Sequence, residues 1–100
     1  MAKREVILTT VSEIQLQEIL EFFIKRNKSS QYSRKLYRKI KAELKTAAKN
    51  PEIGVRTKLD LIRGLIIEEY IIFYEIFEDK ILILKVWDCG QNTDILNIPR

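Results

Sequence analysis

The side chains that could do chemistry in this chain are lysines, arginines, tyrosines and carboxylates, because none of its 100 residues is histidine. Without histidine the chain lacks the commonest general base, every Ser–His or Cys–His nucleophile pair and most zinc sites. Its three glycines, at positions 54, 64 and 90, lie too far apart for a phosphate-binding loop. We therefore predict no cofactor, no metal and no small-molecule substrate.

Basic residues are concentrated in segment 25–50, which holds ten Lys or Arg and one acid, Glu43, whereas the remainder holds eight basic and thirteen acidic residues. Four of the ten, Arg34, Arg38, Lys41 and Lys45, recur at three- and four-residue spacing and should share one helix face. Such a face attracts an acidic protein or a polyanion such as nucleic acid. The alternative is a solvated face that only keeps the protein soluble.

A smaller basic group, Arg56, Lys58 and Arg63, precedes and enters a predicted strand. These residues could contact a target or a phosphate. Alternatively, Arg63 pairs with a neighbouring-strand carboxylate (Glu68, Glu69 or Glu75) and the other two are loop charges.

Three further candidates lie near the end of the chain. Trp87, close to the end of the last long strand, could anchor an interface, although a core role is the alternative. Gln91 and Asn92 come after that strand and could contact a partner, or could end the strand and cap the next element through side-chain hydrogen bonds.

Length and composition predict one domain over residues 1–100. No apolar run approaches the ~20 residues of a membrane span, and the basic N-terminus has no signal-peptide core. The single cysteine, Cys89, has no partner for an internal disulfide, which is typical of a reducing compartment. We expect a cytoplasmic protein with no membrane partner.

Two helices are predicted in the first half. Ser12 and Gln15 form a capping box, and Val11 and Leu16 occupy hydrophobic-staple positions, so the first helix should begin there and end near Arg26. The second should run from near Ser30 to near Lys49, before the helix-breaking Asn50-Pro51. The predicted apolar stripes are Ile14, Leu16, Ile19, Leu20, Phe22 and Phe23 in the first helix, and Leu36, Tyr37, Ile40, Leu44, Ala47 and Ala48 in the second.

Strands are predicted at residues 4–9 and 59–65, and a hairpin at 70–77 and 81–87. The hairpin runs are rich in Ile, Val, Phe and Tyr and too short for ordinary helices, and because they are apolar on both sides they should lie centrally in the sheet. Residues 91–98 could form a short helix or strand. The predicted fold is α+β in the order β-α-α-β-β-β, an antiparallel helical hairpin packed on a curved, mainly antiparallel four-stranded sheet.

This order of elements, with its particular sequence strings, resembles the RelE/ParE superfamily of bacterial type II toxins, and is closer to ParE than to RelE. The resemblance covers about residues 4–96. It is carried by YSRKLYRKIKAELKTAAKNPEIG from Tyr32, by Leu61-Ile62-Arg63-Gly64-Leu65, and by YIIFYEIFEDKILILKVWDCGQN from Tyr70.

The resemblance implies a small cytoplasmic toxin, of the kind associated with plasmid stabilization, that is neutralised by a cognate antitoxin. RelE-like members cut mRNA on the ribosome with Lys, Arg and Tyr, whereas ParE-like members inhibit DNA gyrase. The basic positions of RelE-like members correspond to positions near Leu59 and Leu61 and to Ile71 in this chain. A further arginine of those members corresponds to a position on or next to Gly90, Gln91 and Asn92. None of these residues is charged in this chain. The chain therefore departs from the nuclease pattern, and gyrase is the favoured target.

Two other hypotheses stay open at the level of sequence. One is a ribosome-dependent mRNA endonuclease that uses Arg56, Lys58, Arg63 and a tyrosine. The other is a basic nucleic-acid-binding module without toxicity.

Overall fold

The computed structural model describes residues 4–89 as two helices packed on one face of a five-stranded sheet. The sheet order is β1-β5-β4-β3-β2, with β1 parallel to β5 and all other pairs antiparallel. In chain order the elements are β1 (Glu5–Leu8), α1 (Thr10–Asn27), α2 (Gln31–Lys49), a short 3₁₀ helix (Pro51–Ile53), β2 (Val55–Arg56), β3 (Ile62–Ile67), β4 (Tyr70–Ile76) and β5 (Lys80–Asp88).

The predicted α+β class and element order are confirmed, and the strand count differs by one. The additional strand is β2, whose two residues pair with β3 through Val55–Gly64 and Arg56–Arg63. β3 begins and ends later than expected, and the turn to β4 consists of Glu68 and Glu69, with Glu68 at a φ of 55°. The predicted terminal element at residues 91–98 lies outside the described residues.

The helix α1 begins earlier than the capping-box pattern predicts. Thr9, and not Ser12, caps the helix, because its Oγ1 accepts the Ser12 N–H at 3.2 Å and also donates to the Ile83 carbonyl at 2.8 Å. The Gln15 side chain is not part of a capping box; its Oε1 accepts the Val86 N–H at 2.7 Å. Val11 therefore lies inside the helix and is 56% exposed, so the predicted staple is absent.

The core lies between the helices and the sheet. Leu16 and five residues of the predicted α2 stripe are buried there, whereas Tyr37, expected beside them, is 41% exposed. Ile14 and Phe22, expected in the α1 stripe, are also exposed. The buried set comprises Leu16, Leu36, Ile40, Leu44, Ala47, Ala48, Leu65, Ile67, Tyr70, Ile72, Tyr74, Ile81, Ile83 and Val86.

The hairpin β4–β5 is central in the sheet, as its two-sided apolarity predicts. One face supplies the core residues. On the other face Ile71, directly opposite Trp87 and Ile66 in the register, is 6% exposed. Within residues 4–89, neither helix is both long and apolar enough to cross a lipid bilayer.

Candidate binding surfaces

One flank of α2 carries four of the predicted binding residues. Arg34, Arg38, Lys41 and Lys45 are all exposed, and three- and four-residue steps place them on the same side of the helix. Among residues 4–89, none of the four takes part in an ion pair. The structure therefore brings this predicted group together as a basic stripe with no internal acidic partner.

On the opposite flank of α2, one cation has an acidic partner. Lys39 forms an ion pair with Glu68 in the β3–β4 turn, which raises the pKa of Lys39 and lowers that of Glu68. On the basic stripe, by contrast, the ammonium group of Lys41 lies 5.5 Å from the centre of the Tyr37 ring. A cation–π contact of this kind leaves the charge exposed and adds an aromatic surface beside it.

A groove that sequence reasoning missed separates this stripe from β1. It has a volume of about 360 Å³ and a floor of buried α1 and α2 side chains. Its lining residues are Arg4, Glu5, Val6, Leu8, Leu16, Tyr37, Ile40, Lys41, Leu44, Lys45 and Ala48. No sequence signal identifies it, because it depends on the approach of α2 to a strand about thirty residues earlier in the chain.

The loop between β2 and β3 presents two leucines to solvent. Leu59 is 62% exposed and Leu61 is 55% exposed. Thr57 fixes the loop, because its Oγ1 lies 2.7 Å from the Ile62 carbonyl, 3.1 Å from the Leu59 carbonyl and 3.2 Å from the Leu59 N–H. Arg56 and Lys58, both exposed, flank the leucines. The loop thus exposes two leucines, with the exposed Asp60 between them and basic residues on the N-terminal side.

Arg63 is not available to that loop. Its Nη1 donates to the carbonyls of Gly54 at 2.9 Å and Glu52 at 3.2 Å, and its Nε is buried with no hydrogen-bond partner among residues 4–89. The alternative that Arg63 pairs with Glu68, Glu69 or Glu75 is therefore wrong. The guanidinium group instead holds the 3₁₀ helix and the start of β2 against β3.

Trp87 lies apart from the basic stripe. It is half-buried and lines a second groove, of about 530 Å³, whose other walls include Phe22, Phe23 and Tyr70. The Lys85 ammonium group lies over the Trp87 ring, 4.6 Å from the ring centroid. The Nε1 of Trp87 is buried without a hydrogen-bond partner among the described residues. The remaining predicted residues, Gln91 and Asn92, lie outside residues 4–89.

Three described groups, the hydroxyls of Tyr70 and Tyr74 and the thiol of Cys89, have raised pKa values and so stay protonated to higher pH. Burial raises the pKa of Tyr70 to about 12 and also raises the pKa of Tyr74, whose hydroxyl donates to the Pro51 carbonyl. Burial also raises the pKa of the Cys89 thiol. Within residues 4–89, no three Cys, Asp or Glu side chains converge to hold a metal ion.

Comparisons with known proteins agree with this architecture. A family model described as "ParE toxin of type II toxin-antitoxin system, parDE" matches residues 6–93. A solved structure described as "Chromosomal ParDE TA system from P. aeruginosa" superposes with a TM-score of 0.71 at 14% identity, covering 86% of this chain and 96% of that one. No curated protein sequence matches. The family model spans most of the chain, and the protein therefore belongs to the ParE toxin family of type II toxin-antitoxin systems.

Proposed function

We propose that this chain, as a single domain over residues 1–100, is the toxin of a type II pair, acts in the cytoplasm by binding and inhibiting DNA gyrase, and is neutralised by a cognate antitoxin. Family membership supports the toxin role. The neighbouring solved structure is named as a ParDE toxin-antitoxin system, which supports an antitoxin partner.

The observation that carries the choice of target is the apolar character of the positions where RelE-like nucleases are basic. Leu59 and Leu61 project from a loop fixed by Thr57, and Ile71 is buried. Phosphodiester cleavage needs groups that move a proton and stabilise developing negative charge, which aliphatic side chains cannot do. Exposed leucines on a hydrogen-bonded loop do suit the apolar part of a protein–protein interface.

The contacts of the remaining nuclease candidates point the same way. Arg63 donates to the Gly54 and Glu52 carbonyls, and Tyr74 is fully buried with its hydroxyl donating to the Pro51 carbonyl. Arg56 and Lys58 are exposed, and so are the two tyrosines of α2, Tyr32 and Tyr37. The two exposed cations support contact with a phosphate.

A gyrase supercoiling assay with purified protein tests the target. Wild type should inhibit supercoiling, and Leu59→Gln/Leu61→Gln should weaken inhibition at least tenfold, because loss of a central apolar anchor costs about 2 kcal/mol or more. The matched control, Ile24→Gln/Ile66→Gln, removes two other exposed aliphatic side chains and should inhibit normally.

Two results would replace the proposal. Undisturbed supercoiling at high protein excess, together with A-site cuts in primer extension on translated mRNA, would assign the endonuclease function. Harmless expression with DNA or RNA binding that falls steeply with salt would assign the nucleic-acid-binding module, since phosphate contacts release counterions.

The antitoxin is expected to cover exposed apolar surface on the helical hairpin and the sheet edge. Val11, Ile14 and Phe22 lie along one side of α1, each at least half exposed, and such patches mark interaction sites or cause aggregation. Co-expression with the product of a small adjacent reading frame should raise the soluble yield and relieve growth arrest. An unchanged yield with continued arrest would count against that partner.

A further inference from the structure

The side of α1 that faces away from the sheet is apolar in its first half and acidic in its second. Its residues recur at three- and four-residue steps and all are exposed: Val11, Ile14, Glu18 and Glu21. The buried α1 residues, Ser12 and Leu16, lie on the opposite side of the helix. Within residues 4–89, neither Glu18 nor Glu21 forms an ion pair. This face therefore combines apolar side chains with negative charge.

The outer side of α2 has the complementary pattern. Its exposed residues recur at the same steps: Arg34, Arg38, Ala42 and Lys45. The buried residues of α2 lie on the other side of the helix. None of the three cations takes part in an ion pair within the described part of the chain. The small side chain of Ala42 leaves room for another helix to approach between the cations.

Contacts between the two helices show which of these residues lie at the same height. The Ser33 hydroxyl donates to the Leu20 carbonyl at 2.6 Å, and the ring centroids of Phe23 and Tyr32 lie 4.8 Å apart. Since the helices run antiparallel, each residue forward in α1 corresponds to one residue back in α2. Four pairs are therefore level to within one helical turn, about 5.4 Å: Glu21 with Arg34, Glu18 with Arg38, Ile14 with Ala42, and Val11 with Lys45.

A two-fold axis parallel to the helices makes this surface self-complementary. Rotation about such an axis lays α1 of each copy on α2 of the other and leaves the height of every residue unchanged. Each level pair then becomes a contact between copies. The two glutamates meet arginines, and the two aliphatic residues meet Ala42 and the apolar stem of Lys45. An axis across the helices would instead lay α1 on α1 and α2 on α2, which brings like charges together.

We propose that the outer faces of α1 and α2 bind a second copy of this chain, to form a two-fold symmetric dimer in which the two helical hairpins pack as a four-helix layer. The inference goes beyond the proposed function. The dimer covers Arg34 and Arg38, so it excludes any other partner from that part of the basic stripe. It also excludes an antitoxin from the same side of α1.

A second copy matches this surface better than a nucleic acid does. A phosphate backbone suits the arginines of α2 but is repelled by Glu18 and Glu21, which lie beside them at the same height. The face of a second copy supplies both signs of charge in the order that the surface requires.

The size of the face predicts a weak dimer. The 18-residue helix α1 is about 27 Å long and two helices side by side are about 20 Å wide, so the footprint is about 540 Å² on each copy. Stable, specific interfaces bury about 800 Å² on each partner. We therefore expect a dissociation constant in the micromolar range, with monomer and dimer in exchange.

Sedimentation equilibrium of the purified full chain tests the proposal. Wild type should convert from monomer to dimer between about 2 and 200 μM, a range that brackets a micromolar dissociation constant. Raising NaCl from about 0.05 to 0.5 M should weaken the dimer several-fold, because salt screens the charge pairs. A dimer of unchanged strength at high salt would contradict the charge pairing.

Charge-reversal variants locate the interface. Glu18→Arg/Glu21→Arg and Arg34→Glu/Arg38→Glu should each weaken dimerisation at least tenfold, because each variant opposes like charges at both helix contacts. The first variant raises the net charge from +4 and the second lowers it. A general effect of net charge therefore cannot weaken both dimers.

Mixing the two variants tests the symmetry. In the mixed dimer, arginines face glutamates at both helix contacts, so an equimolar mixture should dimerise about as strongly as wild type although neither variant does so alone. The matched control, Glu52→Arg/Glu78→Arg, makes the same charge change as the first variant at exposed sites outside α1 and α2. It should dimerise nearly as wild type does. Circular dichroism of all three variants shows that they are folded.

Four results would overturn the proposal. They are a wild-type monomer throughout the concentration range, a loss in the control equal to that in Glu18→Arg/Glu21→Arg, a mixture that dimerises no better than its components, and species larger than a dimer. The last result indicates a head-to-tail contact, since a two-fold contact is closed after two copies. Because the experiment contains neither gyrase nor ribosomes nor antitoxin, its result is independent of the proposed target.

Discussion

The hydroxyl of Tyr74 donates to the carbonyl of Pro51 at 2.6 Å from a fully buried position in the middle of the sheet. The same oxygen accepts the N–H of Gly54 at 3.2 Å. One side chain of β4 therefore satisfies both a carbonyl and an N–H in the segment that leads into β2. This segment is the base of the loop that presents Leu59 and Leu61.

Tyr74→Phe should destabilise the fold by about 1–3 kcal/mol, because it leaves a buried N–H and a buried carbonyl without their partner. Urea unfolding followed by circular dichroism measures the change. The control is Tyr32→Phe, which removes the hydroxyl of a 39% exposed tyrosine and should cost less than about 0.5 kcal/mol. Equal losses in the two variants would contradict the structural role of the Tyr74 hydroxyl.

Gly54→Ala should also be destabilising, by about 1–3 kcal/mol, because overpacking displaces its neighbours. A Cβ at position 54 would lie 2.5 Å from the Tyr74 Oη and 2.9 Å from the Arg63 Cβ. Removing the Tyr74 oxygen relieves the first contact, so Gly54→Ala should cost less in the Tyr74→Phe background than in wild type. Strictly additive losses in this double-mutant cycle would show that the two residues do not meet as described.

Thr57→Val should weaken target binding while leaving global stability nearly unchanged. The substitution keeps the shape of the side chain but removes the hydroxyl that lies 2.7 Å from the Ile62 carbonyl and 3.1 Å from the Leu59 carbonyl and donates to one of them at a time. A looser loop must be ordered on binding, at a cost of about 0.5–1.5 kcal/mol for each immobilised side chain, so inhibition of gyrase should fall several-fold.

The control for that substitution is Thr46→Val on α2. Its hydroxyl donates to the Ala42 carbonyl at 3.1 Å, within the helix and away from the loop. Inhibition by Thr46→Val should equal that of wild type. If Thr57→Val inhibits gyrase as well as wild type does, the rigidity of the loop is irrelevant to binding.

The residues that sequence reasoning identifies correctly are those whose environment is set by local periodicity. Leu36, Ile40 and Leu44 follow the helical repeat and are buried, and the basic stripe follows from the same repeat. The start of α1 depends instead on a distant contact. Thr9 and Ser12 are both good N-cap residues. In the structure the cap is Thr9, whose hydroxyl also donates to the Ile83 carbonyl, seventy-four residues away.

The same distinction between local pattern and distant contacts explains which features of the binding surfaces sequence reasoning missed. The predicted sheet places acidic residues near Arg63 and so suggests a carboxylate partner. In the structure, Arg63 donates instead to carbonyls of the 3₁₀ helix and of the residue that ends it. That short helix has no signal in this sequence. The groove at β1 requires the parallel pairing of β1 with β5, which joins the two ends of the described chain. Pairings of such sequence separation are set by the whole fold and not by local pattern.

Lys28→Gly should stabilise the protein by about 0.5–1 kcal/mol. Lys28 ends α1 at a φ of 54°, in the left-handed region that glycine adopts without steric cost. For a chain of this length the melting temperature should rise by about 2–8 °C. The control, Lys25→Gly, places glycine inside the last turn of α1 and should lower stability by about 1 kcal/mol; a loss in both variants would contradict the assigned end of the helix.

Stability should fall at high pH through Tyr70. Its pKa is raised to about 12, first by burial and then by Asp88, from an ordinary value of 10.0. The unfolded chain therefore releases this proton before the folded chain does, so the contribution of the neutral phenol is complete below pH 10 and is lost as the pH rises toward 12. Tyr70→Phe cannot ionise, and the difference in unfolding free energy between wild type and this variant should shift in favour of the variant between pH 10 and 12. Urea denaturation across that range measures it, and a difference that is constant with pH would show that Tyr70 is as free to ionise in the folded protein as in the unfolded chain.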